Sequence, residues 1–291
     1  MNVFRGFVLE LVFLSIAQFS YAQFALQTAG LLPNELQESS GLVIYEDKII
    51  SHNDSGNEPM LYLLDTVNYK VSRTVRILGY QNVDWEDVTI DDEFLYISDS
   101  GNNNGNRTDL KILKLALSDI ATKDAVFPQL ISFSYEDQSD FSKTGKNDWD
   151  AEALAAWGDV LILFTKQRKT GGTVLYSIPK TPGNFKAQRM GEIKNIGLVT
   201  GATVAKGLPG IYLVGYSMIL KPFLVFLPAK HNDLELSSYM FQEFLELPMA
   251  QTEAICAISN KQLLITSERF EKSILQLPAS VFRLNIIRDS N

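Results

Sequence analysis

Cysteine, histidine and positive charge are scarce in this chain. Its 291 residues hold one cysteine, Cys256, and two histidines, His52 and His231. A single cysteine forms no internal disulfide, so stability must come from the core and from any bound metal. Cys256 lies between Ala254-Ile255 and Ala257-Ile258 and reads as a small buried hydrophobe. Lysine and arginine total 26 against 34 acidic residues, a net charge of −8. That balance argues against nucleic acid and against an anionic membrane surface as partners. A Gly-x-Ser-x-Gly elbow, zinc-type ligand spacing and a phosphate-cradling glycine loop are all missing, which leaves a Ser-His-Asp hydrolase without support. Helix-period segments are also scarce, apart from a short turn near 117–121.

The apolar run at the N-terminus covers only residues 7–16, with Arg5 before it and Glu10 inside it. It is too short to span a bilayer, and Gln18 and Ser20 follow it. Small residues close the segment at Ser20-Tyr21-Ala22, the pattern of a secretory signal cleaved before Gln23. Residues 1–22 are therefore expected to be a signal peptide and residues 23–291 one domain. Secretion or a periplasmic location follows, with no membrane insertion of the mature chain. No cysteine stands near the cleavage point, so no lipid anchor is indicated.

What the chain does have is a repeat. A carboxylate-containing step leads into an apolar strand, a polar turn and a second apolar strand, about every 50 residues. The five copies open at Glu38-Ser39-Ser40-Gly41-Leu42, Asp84-Trp85-Glu86-Asp87-Val88, Asp150-Ala151-Glu152-Ala153-Leu154, Val199-Thr200-Gly201-Ala202-Thr203 and Gln251-Thr252-Glu253-Ala254-Ile255. Third strands are expected at 60–65, 108–115, 172–178, 220–227 and 273–277. Fourth strands follow at 71–78, 130–135, 185–193 and 235–245. The last copy has none, and residues 24–32 read as the missing strand, closing the ring from the N-terminus. This is the pattern of an all-β β-propeller of five blades. The long stretch 116–148 can hide a further element, so six blades is the alternative.

In a propeller, equivalent positions of all blades converge on one axis. Glu86, Glu152 and Glu253 align with Ser40 and Gly201, and two residues earlier stand Glu38, Asp84 and Asp150 against Val199 and Gln251. Carboxylates forced together repel and desolvate one another unless a cation or proton compensates. Oxygen ligands without His or Cys suit Ca²⁺ or Mg²⁺. Glu38, Glu86, Glu152 and Glu253 are the candidate metal ligands, with Ca²⁺ the expected ion.

A second converging set closes the second strands: His52-Asn53-Asp54-Ser55-Gly56, Ser98-Asp99-Ser100-Gly101-Asn102, Thr165-Lys166-Gln167-Arg168 and Thr266-Ser267-Glu268-Arg269. Asp-Ser-Gly-Asn also forms a tight turn in its own right, since Asp and Asn bond their own backbone. As a ligand-binding face, this set offers Asp54 or Asp99 as general base and Lys166 as electrostatic partner. His52, Arg107, Arg168 and Arg269 are candidate contacts to an anionic group. Each basic residue fits equally well as the neutraliser of a neighbouring carboxylate, and His52 fits a structural role. His231 reads as plain surface. Trp85, Trp149 and Trp157 read as blade packing, with Trp85 and Trp149 close enough to motif carboxylates to line a pocket.

The motifs Glu38-Ser39-Ser40-Gly41-Leu42, His52-Asn53-Asp54-Ser55-Gly56, Asp84-Trp85-Glu86-Asp87, Asp99-Ser100-Gly101-Asn102 with Arg107, and Asp150-Ala151-Glu152-Ala153-Leu154 followed by Lys166 resemble exported bacterial propellers of the phytase-like esterase and SdiA-regulated type. That resemblance implies an extracytoplasmic propeller. A looser similarity links the carboxylate ring to gluconolactonase and paraoxonase-type propellers, which hold Ca²⁺ in the channel and hydrolyse lactones or esters. Val199 and Gly201 depart from the acidic pattern in the fourth copy. The expectation is a monomeric propeller that binds a divalent cation and a small anionic ligand or ester, with metal-assisted ester hydrolysis as the reaction class. A non-catalytic extracytoplasmic binding or interaction module is the alternative.

Overall fold

Each repeat folds as an antiparallel sheet in a computed structural model, which describes residues 23–143, 145–207, 209–244, 250–272 and 275–287. The leader reading at 1–22 lies outside the described residues. The first sheet runs Ser39–Tyr45, Lys48–Asn53, Met60–Asp65 and Val71–Ile77, each strand antiparallel to the next. The second and third repeat the order with innermost strands Trp85–Ile90 and Ala151–Trp157, and the fourth with Leu198–Val204. The innermost strands are neighbours in chain order, and Thr252–Ser259 of the fifth repeat returns to lie beside Ser39–Tyr45. This radial arrangement is a β-propeller.

Alternation of side chains along the strands gives every sheet two apolar faces. Hydrophobic clusters fill the space between successive sheets. Val43, Ile50 and Leu61 of the first pack on Trp85, Val88 and Leu113 of the second. The same holds between the fourth and fifth sheets, where Val214 and Leu224 meet Ile255 and Ile265. Leu42 and Ile49 pack on Ala254 and Leu264 between the fifth sheet and the first. Buried side chains of this size contribute roughly 1.5–3 kcal/mol each, so the sheets hold one another in place.

The fifth sheet departs from expectation. Its third strand is Ser280–Ile287, paired with Gln262–Ser267, and not 273–277. Phe270–Lys272 and Leu275–Leu277 instead pair with each other as an inserted hairpin. Ser280–Ile287 is the longer run and places Val281, Phe282, Leu284 and Ile286 in the core, which short 275–277 cannot match. Gln23–Leu31 then pairs antiparallel with Ser280–Ile287 as the outermost strand, from Gln23↔Ile287 to Leu31↔Ser280. The stretch after Lys111–Ala116 holds a short helix, Leu117–Thr122, and a two-residue strand, Ala125–Val126, parallel to Val71–Ile77. These cover the edge of the first sheet without forming a sheet of their own.

Candidate functional site

A bulge in every innermost strand builds the site. Register slips between Ser39 and Gly41, between Ala151 and Ala153, and between Thr252 and Ala254, at equivalent places. In the second repeat the slip spans Glu86 and Asp87, between Trp85 and Val88. A bulged residue leaves the ladder and its side chain is re-aimed, here toward the axis. The bulge residues are Ser40, Glu86, Glu152, Thr200 and Glu253. The fourth copy is thus one residue out of the expected alignment: Thr200, not Gly201, is the counterpart of the glutamates, and Leu198, not Val199, precedes it by two. Ser40 Oγ donates to the carbonyl of Glu86 at 2.5 Å and Thr200 Oγ1 to that of Thr252 at 2.5 Å. The two hydroxyls therefore tie one repeat to the next where the others carry carboxylates.

The end of each second strand, its last residue in the fourth repeat and the residue after it in the others, supplies a second ring. These positions are Asp54, Ser100, Lys166, Tyr216 and Glu268. A repeated backbone bond fixes them, from Asp54 N to Glu38 O at 2.8 Å, Lys166 N to Asp150 O at 2.7 Å and Glu268 N to Gln251 O at 3.2 Å. Members of both rings, Thr200 and Ser100 apart, line a polar cavity of about 170 Å³ whose walls include Glu38, Asp54, Glu86, Glu152, Glu253 and Glu268 against Lys166 and Arg168. Ser39, Ser40, Tyr216, Gln251 and Asn103 complete it.

Six carboxyls facing two cations are out of electrostatic balance. Burial, then Glu152 and Asp54, holds Glu86 well above the usual carboxylate range. Burial likewise raises Glu253 to about 8 and Glu268 to about 7. Asp84, behind the cavity wall, is raised to about 6 by burial and by Asp54 and Asp150. Asp54 is raised by burial against the pull of Lys166. Glu152 is raised by burial as well, although Lys166 Nζ stands 2.6 Å from its Oε2 and Arg168 Nη2 2.8 Å from its Oε1. Arg168 Nε also meets Asp150 Oδ2 at 2.9 Å. Lys166 Nζ lies 5.2 Å from the centre of the Tyr216 ring. Carboxyl oxygens gather in two groups, Asp54 with Asp84 and Glu86, and Glu86 with Asp150 and Glu152, each with ligand atoms within 4.8 Å of one another.

The cavity therefore collects Glu38, Glu86, Glu152, Glu253, Asp54, Lys166 and Arg168 from among the residues expected to act. It leaves out four. His52 is fully buried beside Trp85, ring centroids 5.6 Å apart, with Nδ1 on the Asn53 carbonyl. Burial lowers its pKa to about 4, so it stays neutral and does not reach the cavity walls. Asp99 has both oxygens engaged, by Arg107 Nη2 at 3.0 Å and Asp84 N at 3.2 Å, and by Lys111 Nζ at 3.1 Å. It anchors the loop that carries Asp84. Arg107 is spent on Asp99, Asp109 and the Gly101 carbonyl. Arg269 sits on the outer surface with Gln37 and Glu271. Tyr216 has no counterpart among the residues expected from sequence, and Glu268, part of the second converging set, takes a place on the wall beside it.

Asp87 has a role of its own. Fully buried, it accepts from Val88 N at 2.8 Å, Leu154 N at 2.8 Å and Ala202 N at 3.2 Å. One carboxyl thereby joins the innermost strands of three successive repeats.

No protein-family model and no curated protein sequence matches the chain. Solved structures do. The glutaminyl cyclase of Myxococcus xanthus is similar over 90% of this chain and 97% of its own, at 14% identity and a TM-score of 0.54. A glucose dehydrogenase is similar over 91% of this chain and 100% of its own, at 11% identity and a TM-score of 0.52. The PQQ-bound aldose sugar dehydrogenase of Streptomyces coelicolor is similar over 91% and 99%, at 10% identity and a TM-score of 0.50. The chain shares their β-propeller fold. At such identities the likeness extends to architecture and not to chemistry. Among the described residues, no helix is long and apolar enough to cross a membrane.

Proposed function

We propose that this chain is an exported propeller whose axial cavity binds a divalent cation, Ca²⁺ by the chemistry of its donors, together with a small anionic molecule. The observation that supports it is the excess of buried carboxyls, gathered in two groups that share Glu86. The residues present fit such an ion. All donors are hard oxygens, and Glu86, only 5% exposed, lines the cavity. A side chain at Gly101 would collide with Glu86 Oε1 and Asp84 Oδ2, so glycine is what lets both carboxylates close on one point. The motif likeness to exported phytase-like and SdiA-regulated propellers, and the signal-like leader, support the extracytoplasmic setting.

Metal-assisted hydrolysis of a phosphate or carboxylic ester is the reaction class this arrangement fits best. A bound divalent ion polarises the scissile group and acidifies a water molecule. Lys166 and Arg168, on the cavity wall beside Glu152, are the positive groups that would meet the anionic part of the substrate. Asp54, on the cavity wall, is placed to take a proton from a water held there. Turnover of aryl phosphate and carboxylic ester panels, with Ca²⁺ and with EDTA, tests the reaction. Calcium-dependent turnover that falls in Asp54→Asn is expected; none in either panel, or turnover untouched by EDTA, overturns it.

One observation favours a second reading, a non-catalytic binding or interaction module. Lys166 and Arg168 already neutralise Glu152 and Asp150. If compensation is complete in this way, Glu86→Gln leaves the response to Ca²⁺ unchanged because there is none.

A further inference from the structure

The two carboxylate groups that share Glu86 differ in one respect that decides where an ion sits. In the group of Glu86, Asp150 and Glu152, all four oxygens of Asp150 and Glu152 are taken. Glu152 Oε2 meets Lys166 Nζ at 2.6 Å and Oε1 meets Arg168 Nη2 at 2.8 Å. Asp150 Oδ2 meets Arg168 Nε at 2.9 Å, and Oδ1 accepts from Asn102 N at 2.6 Å. Two negative charges there face two positive ones in contact.

The group of Asp54, Asp84 and Glu86 has no such partner. Among the described residues, no donor and no basic side chain contacts the carboxylate oxygens of Asp84 or Glu86. Only Asp54 Oδ1 accepts a bond, from the neighbouring Ser55 N. Glu86 is more than nine-tenths buried and opens into the cavity with its carboxylate unengaged. Gly101 removes the one side chain that would stand between Glu86 and Asp84. Asp99, clamped by Arg107 and Lys111, holds the Asp84 backbone in place from behind. Asp54 and Glu86 therefore line the cavity with Asp84 close against them, and among the described residues no cation forms an ion pair with any of the three.

We propose that Asp54, Asp84 and Glu86 form the site of one exchangeable divalent cation, and that Lys166 and Arg168 are a built-in substitute for a second. This rests on the reading of the cavity as a cation site and specifies it. The axial cavity would then hold one exchangeable ion beside one pair of fixed side-chain charges, with Glu86 a member of both carboxylate groups. Hard divalent ions that prefer oxygen, Ca²⁺ first, are the ligand class. Glu38 and Glu253, expected from sequence to complete the ligand set, line the same cavity outside both carboxylate groups.

The test is calcium stoichiometry by equilibrium dialysis of the full chain and its variants, with fold checked by circular dichroism. One ion per chain is expected for the parent and for Glu152→Gln, none for Asp84→Asn at the concentration that saturates the parent, and two for Lys166→Met. Should Lys166→Met fail to fold, Arg168→Gln frees Glu152 Oε1 and Asp150 Oδ2 and is expected to take up the second ion instead. No ion on the parent chain removes the underlying cation reading itself. One ion that survives Asp84→Asn and is lost in Glu152→Gln keeps that reading but places the ion in the other group, overturning the proposal. Two ions on the parent, or one ion on both Lys166→Met and Arg168→Gln, overturns the built-in substitute.

Discussion

Raising pH without metal should weaken this protein across a range where most proteins hold steady. Several cavity carboxyls keep their protons in the folded chain beyond the usual range near 4. Asp84 is raised to about 6, Glu268 to about 7 and Glu253 to about 8, in each case chiefly by burial. A carboxyl whose folded pKa exceeds its unfolded value binds its proton more tightly when folded. Its contribution is therefore largest at low pH and is lost as pH climbs through the folded value. His52 works in the opposite direction, since its lowered pKa of about 4 penalises folding only below the ordinary histidine range. Between pH 6.5 and 8 the carboxyls act alone. One net proton held by the folded state across that window is worth about 2 kcal/mol, at roughly 1.4 kcal/mol per pH unit. For a chain of this size that lowers Tm by about 4 °C or more. Thermal unfolding in EDTA, followed by circular dichroism at half-unit steps, measures it. Saturating Ca²⁺ favours the ionised carboxyls and should flatten or reverse the slope. A Tm in EDTA that is level or rises from pH 6.5 to 8 refutes the reasoning, because the carboxyls would then be ionised and compensated throughout.

Three further outcomes follow from single contacts. Asp87→Ala strands the buried amides of Val88, Leu154 and Ala202 and should cost about 3–5 kcal/mol in urea unfolding, with the same loss in Ca²⁺ and in EDTA. Asp99→Ala removes the buried partner of Arg107 and Lys111, leaving them only the exposed Asp109, and frees the Asp84 backbone, so stability should fall by about 3 kcal/mol and Ca²⁺ affinity should weaken with it. His52→Gln should leave any ester turnover at the parental level per folded molecule, since the ring does not reach the cavity; a pH profile of turnover that loses a limb in this variant would contradict that placement.

Most of the fold was legible because the apolar strands carry it. Every innermost strand was placed by its motif, and the clusters between sheets are built from those same residues. The fifth sheet misled because Phe270–Lys272 and Leu275–Leu277 are also strands, and only packing of Val281, Phe282, Leu284 and Ile286 decides in favour of Ser280–Ile287. The carboxylate ring was legible as a repeat, but its fourth member was misaligned, since a β-bulge shifts register without marking the sequence. Partnership was not legible. Nothing in the local sequence of Asp99 separates an anchor bound to Arg107 and Lys111 from a free base. The same is true of Asp87, whose donors Leu154 and Ala202 lie in other repeats. Tyr216 was hidden for a simpler reason: the ends of the second strands share a position and not a residue type.

The most direct measurement compares Tm of the purified protein at pH 7.5 in excess Ca²⁺ and in EDTA, for the parent chain and Glu86→Gln. Calcium at about 100 times its dissociation constant adds about 2.7 kcal/mol to the folded state. Tm of the parent should then rise by about 5 °C or more. Glu86→Gln should remove that rise. An equal Tm for the parent in calcium and in EDTA would contradict the account.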